Sequence, residues 1–211
     1  KDNNLGKFIN KKCGYGTEIE EYIYQDNVNY KYLDGYWQNV LYFENIQNEL
    51  KKELSFKGIL NDEQKKLIAK MQCENSVAVH IRRGDYLDNQ NVYHLLSLDY
   101  YNSALDYMKK NVKEELHFYF FSDDIEWCKK VFSNTENSTF ITSDISSDHY
   151  TDFELMRSCK HFILANSTFS WWASWLSEND SKCIVGPKDW FVDTEKNRKN
   201  KNALLSSSII L

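Results

Sequence analysis

The chain has 211 residues, 42% of them hydrophobic and 27% charged, with a formal net charge of −5. That length predicts one to one and a half globular domains with a core large enough to need no disulfide or structural-metal staples. The acidic balance argues against nucleic acid as the main partner, and five cysteines spaced 24 or more residues apart exclude a Cys-x-x-Cys metal or redox motif.

Residues 1–56 are polar and tyrosine-rich, with Tyr22, Tyr24, Tyr30, Tyr32, Tyr36 and Trp37 among charges and amides. They read as short strands and loops followed by a helix around Tyr42–Leu54. From residue 57 the pattern changes to strand–helix alternation, beginning with a helix over Ile59–Met71. The predicted strands are Val77–Ile81, His117–Phe121, Thr139–Thr142, Phe162–Ala165 and Cys183–Val185. Between them lie the predicted helices Leu98–Val112, Ile125–Phe132, Thr151–Cys159 and Phe169–Leu176. The Lys/Asn-rich stretch 195–202 reads as a solvated loop. Apolar strands separated by helices imply a parallel sheet covered on both faces, a doubly wound α/β domain. No apolar run approaches the roughly 20 residues of a membrane span, and the polar N-terminus has no signal-peptide core. The isolated cysteines read as reduced, mostly buried thiols.

In a doubly wound sheet ligands bind at the carboxyl ends of the strands, so those ends carry the functional information. The first strand runs into His80-Ile81-Arg82-Arg83-Gly84-Asp85-Tyr86. Two adjacent arginines in an acidic chain suit an anion, because a planar guanidinium binds phosphate in bidentate fashion; the alternative is that both pair with Asp85, Asp123 or Asp124. The second strand ends in Ser122-Asp123-Asp124. Ser122 or Asp123 can cap the following helix, leaving the other carboxylate to accept from a base edge or a sugar hydroxyl. No two aspartates are spaced Asp-x-Asp, so a divalent ion is not expected, and the arginines would take the charge of a departing diphosphate. The fourth strand ends in Asn166-Ser167-Thr168-Phe169-Ser170-Trp171-Trp172, a hydroxyl-rich helix start that is either an ordinary cap or a phosphate site. At least two of Trp171, Trp172 and Trp175 are expected in the core. There is no P-loop and no Gly-x-Gly-x-x-Gly fingerprint. The combination points to a nucleotide-sugar transferase.

The ordered series His80–Tyr86, Leu98-Asp99-Tyr100-Tyr101, Phe121–Asp124 with Trp127-Cys128, Leu155-Met156, Cys159-Lys160-His161 and Ala165–Trp172 resembles the α-1,2-fucosyltransferase family. The resemblance runs from Asp34-Gly35-Tyr36-Trp37 through Pro187-Lys188-Asp189-Trp190-Phe191. It implies a GT-B-like fold, GDP-fucose as donor substrate, and metal-independent, inverting transfer of fucose to the 2-hydroxyl of a sugar, commonly galactose.

By that resemblance, Arg82 and Arg83 bind the diphosphate, with Arg83 also assisting the reaction, and His80 lies beside guanine or ribose. Asp123, with Asp124 able to exchange roles, accepts from the base. Ser167, Thr168 and Ser170 hold phosphate oxygens, and Asp85 is the first candidate base, His94 the second. No cofactor beyond the donor substrate is expected. Family members usually open with a strand and a Gly-Gly-Leu-Gly-Asn-Gln-like turn that this chain lacks. Residues 1–56 are therefore expected to be the remnant of an acceptor-side region, and 57–211 a GDP-fucose-binding Rossmann-like domain. A different fucosyl linkage, α-1,6 or O-fucosyl, and a non-catalytic sugar- or nucleotide-binding module are the competing expectations. The Lys-, Asn- and Ile-rich composition favours a bacterial cytoplasmic enzyme over a Golgi one.

Overall fold

A computed structural model describes residues 38–199 and 208–211. The expectations for residues 1–37, including the tyrosine-rich strands, Cys13 and Asp34–Trp37, lie outside the described residues, as do residues 200–207. The described chain enters through two 3-10 turns, Val40–Tyr42 and Glu44–Ile46, and then helices α1 (Gln47–Glu53) and α2 (Asp62–Cys73). The alternation follows: β1 (Asn75–Ile81), α3 (Gly84–Asp88), α4 (Leu98–Asn111), β2 (Leu116–Ser122), α5 (Ile125–Val131) and β3 (Ser138–Phe140). The second half comprises α6 (His149–Arg157), β4 (His161–Ile163), α7 (Thr168–Leu176), β5 (Ile184–Gly186), α8 (Thr194–Lys199) and β6 (Ser208–Ile210).

The six strands are parallel and ordered β3-β2-β1-β4-β5-β6. This is the doubly wound Rossmann arrangement, and its topological switch point falls between β1 and β4, where the crossovers leave in opposite directions. Strand alternation sends Val77, Val79 and Ile81 to one face with Phe118, Phe120 and Ile163, against Tyr101, Ala104, Leu105 and Met108 of α4. Ala78, Tyr119, Phe121 and Phe162 point to the other, against Leu155 and Met156 of α6 and Trp171 and Trp175 of α7. Trp171 and Trp175 are buried and Trp172 half-buried, as the core assignment of two tryptophans requires. Phe43 fixes the entering segment on α7, stacked on Trp172 at 5.3 Å and edge-on to Trp175 at 4.8 Å.

Caps explain most departures from the predicted boundaries. α2 starts at Asp62 and not at Ile59 because Asn61 and Gln64 form a reciprocal capping box. α6 starts at His149 because the Asp148 carboxylate accepts the Thr151 N–H. Residues 40–46 wind as 3-10 turns where a continuous helix from Tyr42 was expected, with the Asn39 side chain capping the first. Residues 195–199 are helical and not a loop, since Asp193 accepts the N–H groups of Glu195 and Lys196. The sixth strand had no counterpart in the sequence reading. Four described cysteines are free thiols, with Cys128 and Cys159 buried; burial pushes Cys128 up to about 11.

Candidate active site

The carboxyl ends of β1, β2 and β4 converge at the switch point. β1 ends at Ile81, and Arg82 and Arg83 lead straight into α3, a one-turn helix where the sequence suggested only a turn at Gly84. Asp123, just past β2, holds that junction: its two carboxylate oxygens accept the N–H of Arg83 at 2.9 Å and of Gly84 at 3.0 Å. Gly84 has no room for a side chain, since a Cβ there would lie 2.8 Å from Asp123 Oδ2. Arg82 pairs through Nη1 with Asp123 at 3.1 Å and through Nη2 with Asp85 at 2.8 Å. Arg83 meets Asp124 through Nε at 3.3 Å, and its guanidinium carbon sits 3.8 Å from the centroid of the Trp127 ring.

These contacts revise the expectation at Asp123-Asp124. The cap of α5 is Asp124, whose Oδ1 accepts the Trp127 N–H, and Ser122 supports it by accepting the Asp124 N–H. The carboxylate left over, Asp123, is not free. It accepts two backbone N–H groups and is ion-paired with Arg82, so part of its acceptor capacity is already used within the protein. The two arginines also differ. Both Nη groups of Arg82 are engaged, whereas among the described residues no hydrogen bond uses the Nη groups of Arg83. Held flat on an indole, Arg83 offers its fork to an anion at little further cost in side-chain entropy.

Across the switch point, Ser167 caps α7 by accepting the Phe169 N–H at 3.3 Å. Ser170 is buried and donates to the Ser167 carbonyl at 3.4 Å, so its hydroxyl is turned into the helix. Thr168 lines a cavity of about 1070 Å³ that runs between the 42–59 segment, the start of α6 and the start of α7. Its walls include the aromatic side chains Phe43, Phe56, Phe153, Phe169 and Trp172. His80 links the two halves of the site: its ring packs on Phe169 with centroids 5.6 Å apart. Burial, with help from the Arg82 charge, pulls the imidazole down to about 3. His80 is therefore neutral at physiological pH, and its Nδ1 is buried without a partner among the described residues.

Asp85 and His94 both lie exposed at the rim. His94 sits on a two-stranded ribbon in which Tyr93 bridges Phe191, the His94 N–H donates to the Trp190 carbonyl and the Val192 N–H donates to the Val92 carbonyl. Tyr86 of α3 stacks on Tyr93 at 4.4 Å, with the planes 6° apart. No local signal in the sequence marks this ribbon, the place of Trp127 beneath Arg83, or the cavity. Asn166-Ser167-Thr168 spells a glycosylation sequon, but the Asn166 amide nitrogen is already bonded on both hydrogens inside the protein. Among the described residues no three His, Cys, Asp or Glu side chains are placed to share a metal ion.

The family profile of glycosyl transferase family 11 matches residues 16–206. The chain belongs to this family. Within it, the chain is similar to an α-1,2-colitosyltransferase of Escherichia coli, at 36% identity over 195 residues, covering 88% of this chain and 66% of that protein. It is also similar to galactoside α-(1,2)-fucosyltransferase 2 of Pongo pygmaeus, at 26% identity over 161 residues, covering 72% of this chain and 47% of that protein. The chain thus spans less than two thirds of the length of these relatives. Among solved structures, it is similar to POFUT1 in complex with GDP-fucose, with a TM-score of 0.45 and 16% identity over 64% of this chain and 48% of that one. The family 11 match spans every strand end that builds the site, from the Arg82-Arg83 turn to the ribbon at Phe191. No described helix is long and apolar enough to cross a membrane.

Proposed function

We propose that the chain carries the donor-nucleotide site of an inverting fucosyltransferase that moves fucose from GDP-fucose to the 2-hydroxyl of a galactoside. The observation that carries this reading is the Arg83 guanidinium, braced on Trp127 at the carboxyl edge of the parallel sheet, the same edge at which the capped α7 begins. A diphosphate there meets a guanidinium on one side and the free N–H groups and positive dipole end of a nine-residue helix on the other. In this scheme Arg82 and Arg83 take the charge that develops on the departing diphosphate, and no divalent ion is required. Ser167 and Thr168 contribute at the helix start. Neutral His80 lies beside the ribose or base, and the cavity bordered by Phe169 houses the nucleoside end. Asp123 and Asp124 act on the donor by holding the arginines.

Inversion in a single displacement asks for a base at the acceptor hydroxyl. Asp85 is the first choice, being a carboxylate at the rim beside Arg82, and His94 the second. Residues 57–211 form the donor domain in this reading and 1–56 belong to the acceptor side, with the reaction run in a bacterial cytoplasm. The similarity to a colitosyltransferase over 88% of the chain supports a second reading, in which the transferred sugar is colitose.

The test is calorimetric titration with GDP, then a transfer assay with GDP-fucose and GDP-colitose on galactosides, and linkage determination by NMR. GDP binding in the micromolar range that Arg83→Ala abolishes, with an α-1,2 product, is expected. Sugar binding without GDP binding would establish a lectin-like module instead, and an α-1,6 or protein-linked product would reassign the linkage.

A further inference from the structure

Asn166 is 2% exposed and stands where β4 hands over to α7, one residue before the cap Ser167. Its Nδ2 donates to two carbonyls from different segments, that of His94 and that of Trp190, each at 2.8 Å. Its main-chain carbonyl accepts the Tyr86 hydroxyl at 2.8 Å, from the helix that follows the arginines. One residue therefore ties together the guanidinium turn, the start of α7 and both strands of the ribbon bearing His94.

The chemistry singles out asparagine. Two hydrogens on one nitrogen are needed to satisfy two carbonyls from one point. Aspartate has no donor and would set a negative oxygen against them; serine has a single donor and is shorter. The two strands of the ribbon are joined by the His94 and Val192 N–H bonds and an isolated bridge. The Trp190–Phe191 strand is also held by Asn197, which accepts both N–H groups and donates to the Phe191 carbonyl, whereas the His94 carbonyl is tied to the start of α7 through Asn166. A buried amide joining segments 72 and 24 residues away in the chain is a tertiary clamp and not a local cap.

We infer that Asn166 is a positioning residue, one that seats the His94 ribbon against the start of α7 and so sets the geometry of the transfer step without binding the nucleotide. The inference rests on the transferase reading above. It explains why the side chain that opens a hydroxyl-rich phosphate-type motif is turned inward.

Asn166→Asp is the decisive substitution, with Asn166→Ser as a milder one that carries the same readings if the aspartate does not fold. Three quantities are measured: kcat and KM for transfer, GDP affinity by calorimetry, and amide hydrogen exchange at His94 and Val192. In Asn166→Asp, kcat is expected to fall about 100-fold, the scale of a misplaced reacting group, with GDP affinity held within about threefold. Exchange at the two ribbon amides should rise about tenfold while the amides of β1 stay protected. In a His94→Ala background the same substitution should cost much less, because the two act as one unit. GDP affinity falling in step with kcat, ribbon exchange unchanged, or fully additive losses with His94→Ala would each overturn the inference. The exchange measurement needs no activity, so a chain that fails to transfer sugar defeats the transferase reading while the clamp is still read directly.

Discussion

Asp123 grips Arg83 by the backbone and not by the guanidinium: its carboxylate accepts the Arg83 N–H at 2.9 Å and, with its other oxygen, the Gly84 N–H at 3.0 Å. The consequence is that the aspartate shapes the turn from which both arginines project, while Asp124 and Trp127 orient the Arg83 side chain. Asp123→Ala removes acceptors from both N–H groups and a partner from Arg82. GDP affinity should drop at least about tenfold, since charge-assisted bonds of this kind contribute about 1.5–3 kcal/mol each. Asp123→Asn keeps one acceptor oxygen and should lose less. Calorimetry on the two variants checks the order, and equal affinities would remove Asp123 from the site.

Gly84→Ala tests the same turn from the other side. The new methyl would lie 2.8 Å from an oxygen that Arg82 and the Gly84 N–H already hold. The carboxylate must move, at a stability cost of about 1–3 kcal/mol, the usual range for overpacking. Urea unfolding with a parallel GDP titration should show both stability and affinity reduced. Affinity unchanged despite lower stability would mean the turn does not set the arginines.

Arg83→Lys keeps the charge but loses the fork and the face that lies on Trp127. GDP affinity should fall roughly tenfold or more, about 1.4 kcal/mol per factor of ten, and Trp127→Leu should produce a smaller loss in the same direction by freeing the guanidinium. Full affinity in Arg83→Lys would show that point charge alone is sufficient.

His80 predicts an acid limb in stability. Its folded pKa, about 3, lies below the ordinary value of 6.5, so the unfolded chain binds the proton first. Stability from keeping it neutral is complete above pH 6.5 and is lost as pH falls toward 3. Between pH 7 and pH 5 the loss amounts to about 2 kcal/mol. His117 and His161, also lowered by burial, add in the same direction. Chemical denaturation across that range should give a flatter profile for His80→Gln than for the natural protein, and parallel profiles would assign the acid limb to the other histidines.

The elements of the sheet were legible because their signals are local. Apolar runs at Val77–Ile81 and His117–Phe121 and the period of Leu98–Val112 each record which side chains face the core, and the structure places all three within a residue or two. The clustering of Arg82, Arg83, Asp123, Asp124 and the Ser167 helix start at one edge followed from the parallel topology, since successive parallel strands present their carboxyl ends on the same side.

What the sequence by itself determined was the class of the domain, the composition of each strand end and the family pattern that joins them. Only the tertiary structure decided how those groups are used. Which of two adjacent aspartates caps a helix depends on backbone geometry at the strand exit, so Asp124 and not Asp123 took the cap. Whether a guanidinium is open depends on partners about 40 residues away, so Arg82 is closed and Arg83 open. Asn166, read as one polar residue in a hydroxyl-rich motif, became a clamp because folding brought two distant carbonyls within 2.8 Å of a single nitrogen. Periodicity and propensity encode the burial of a residue's own face, whereas the pairing of polar groups is settled by which segments the packed sheet brings side by side.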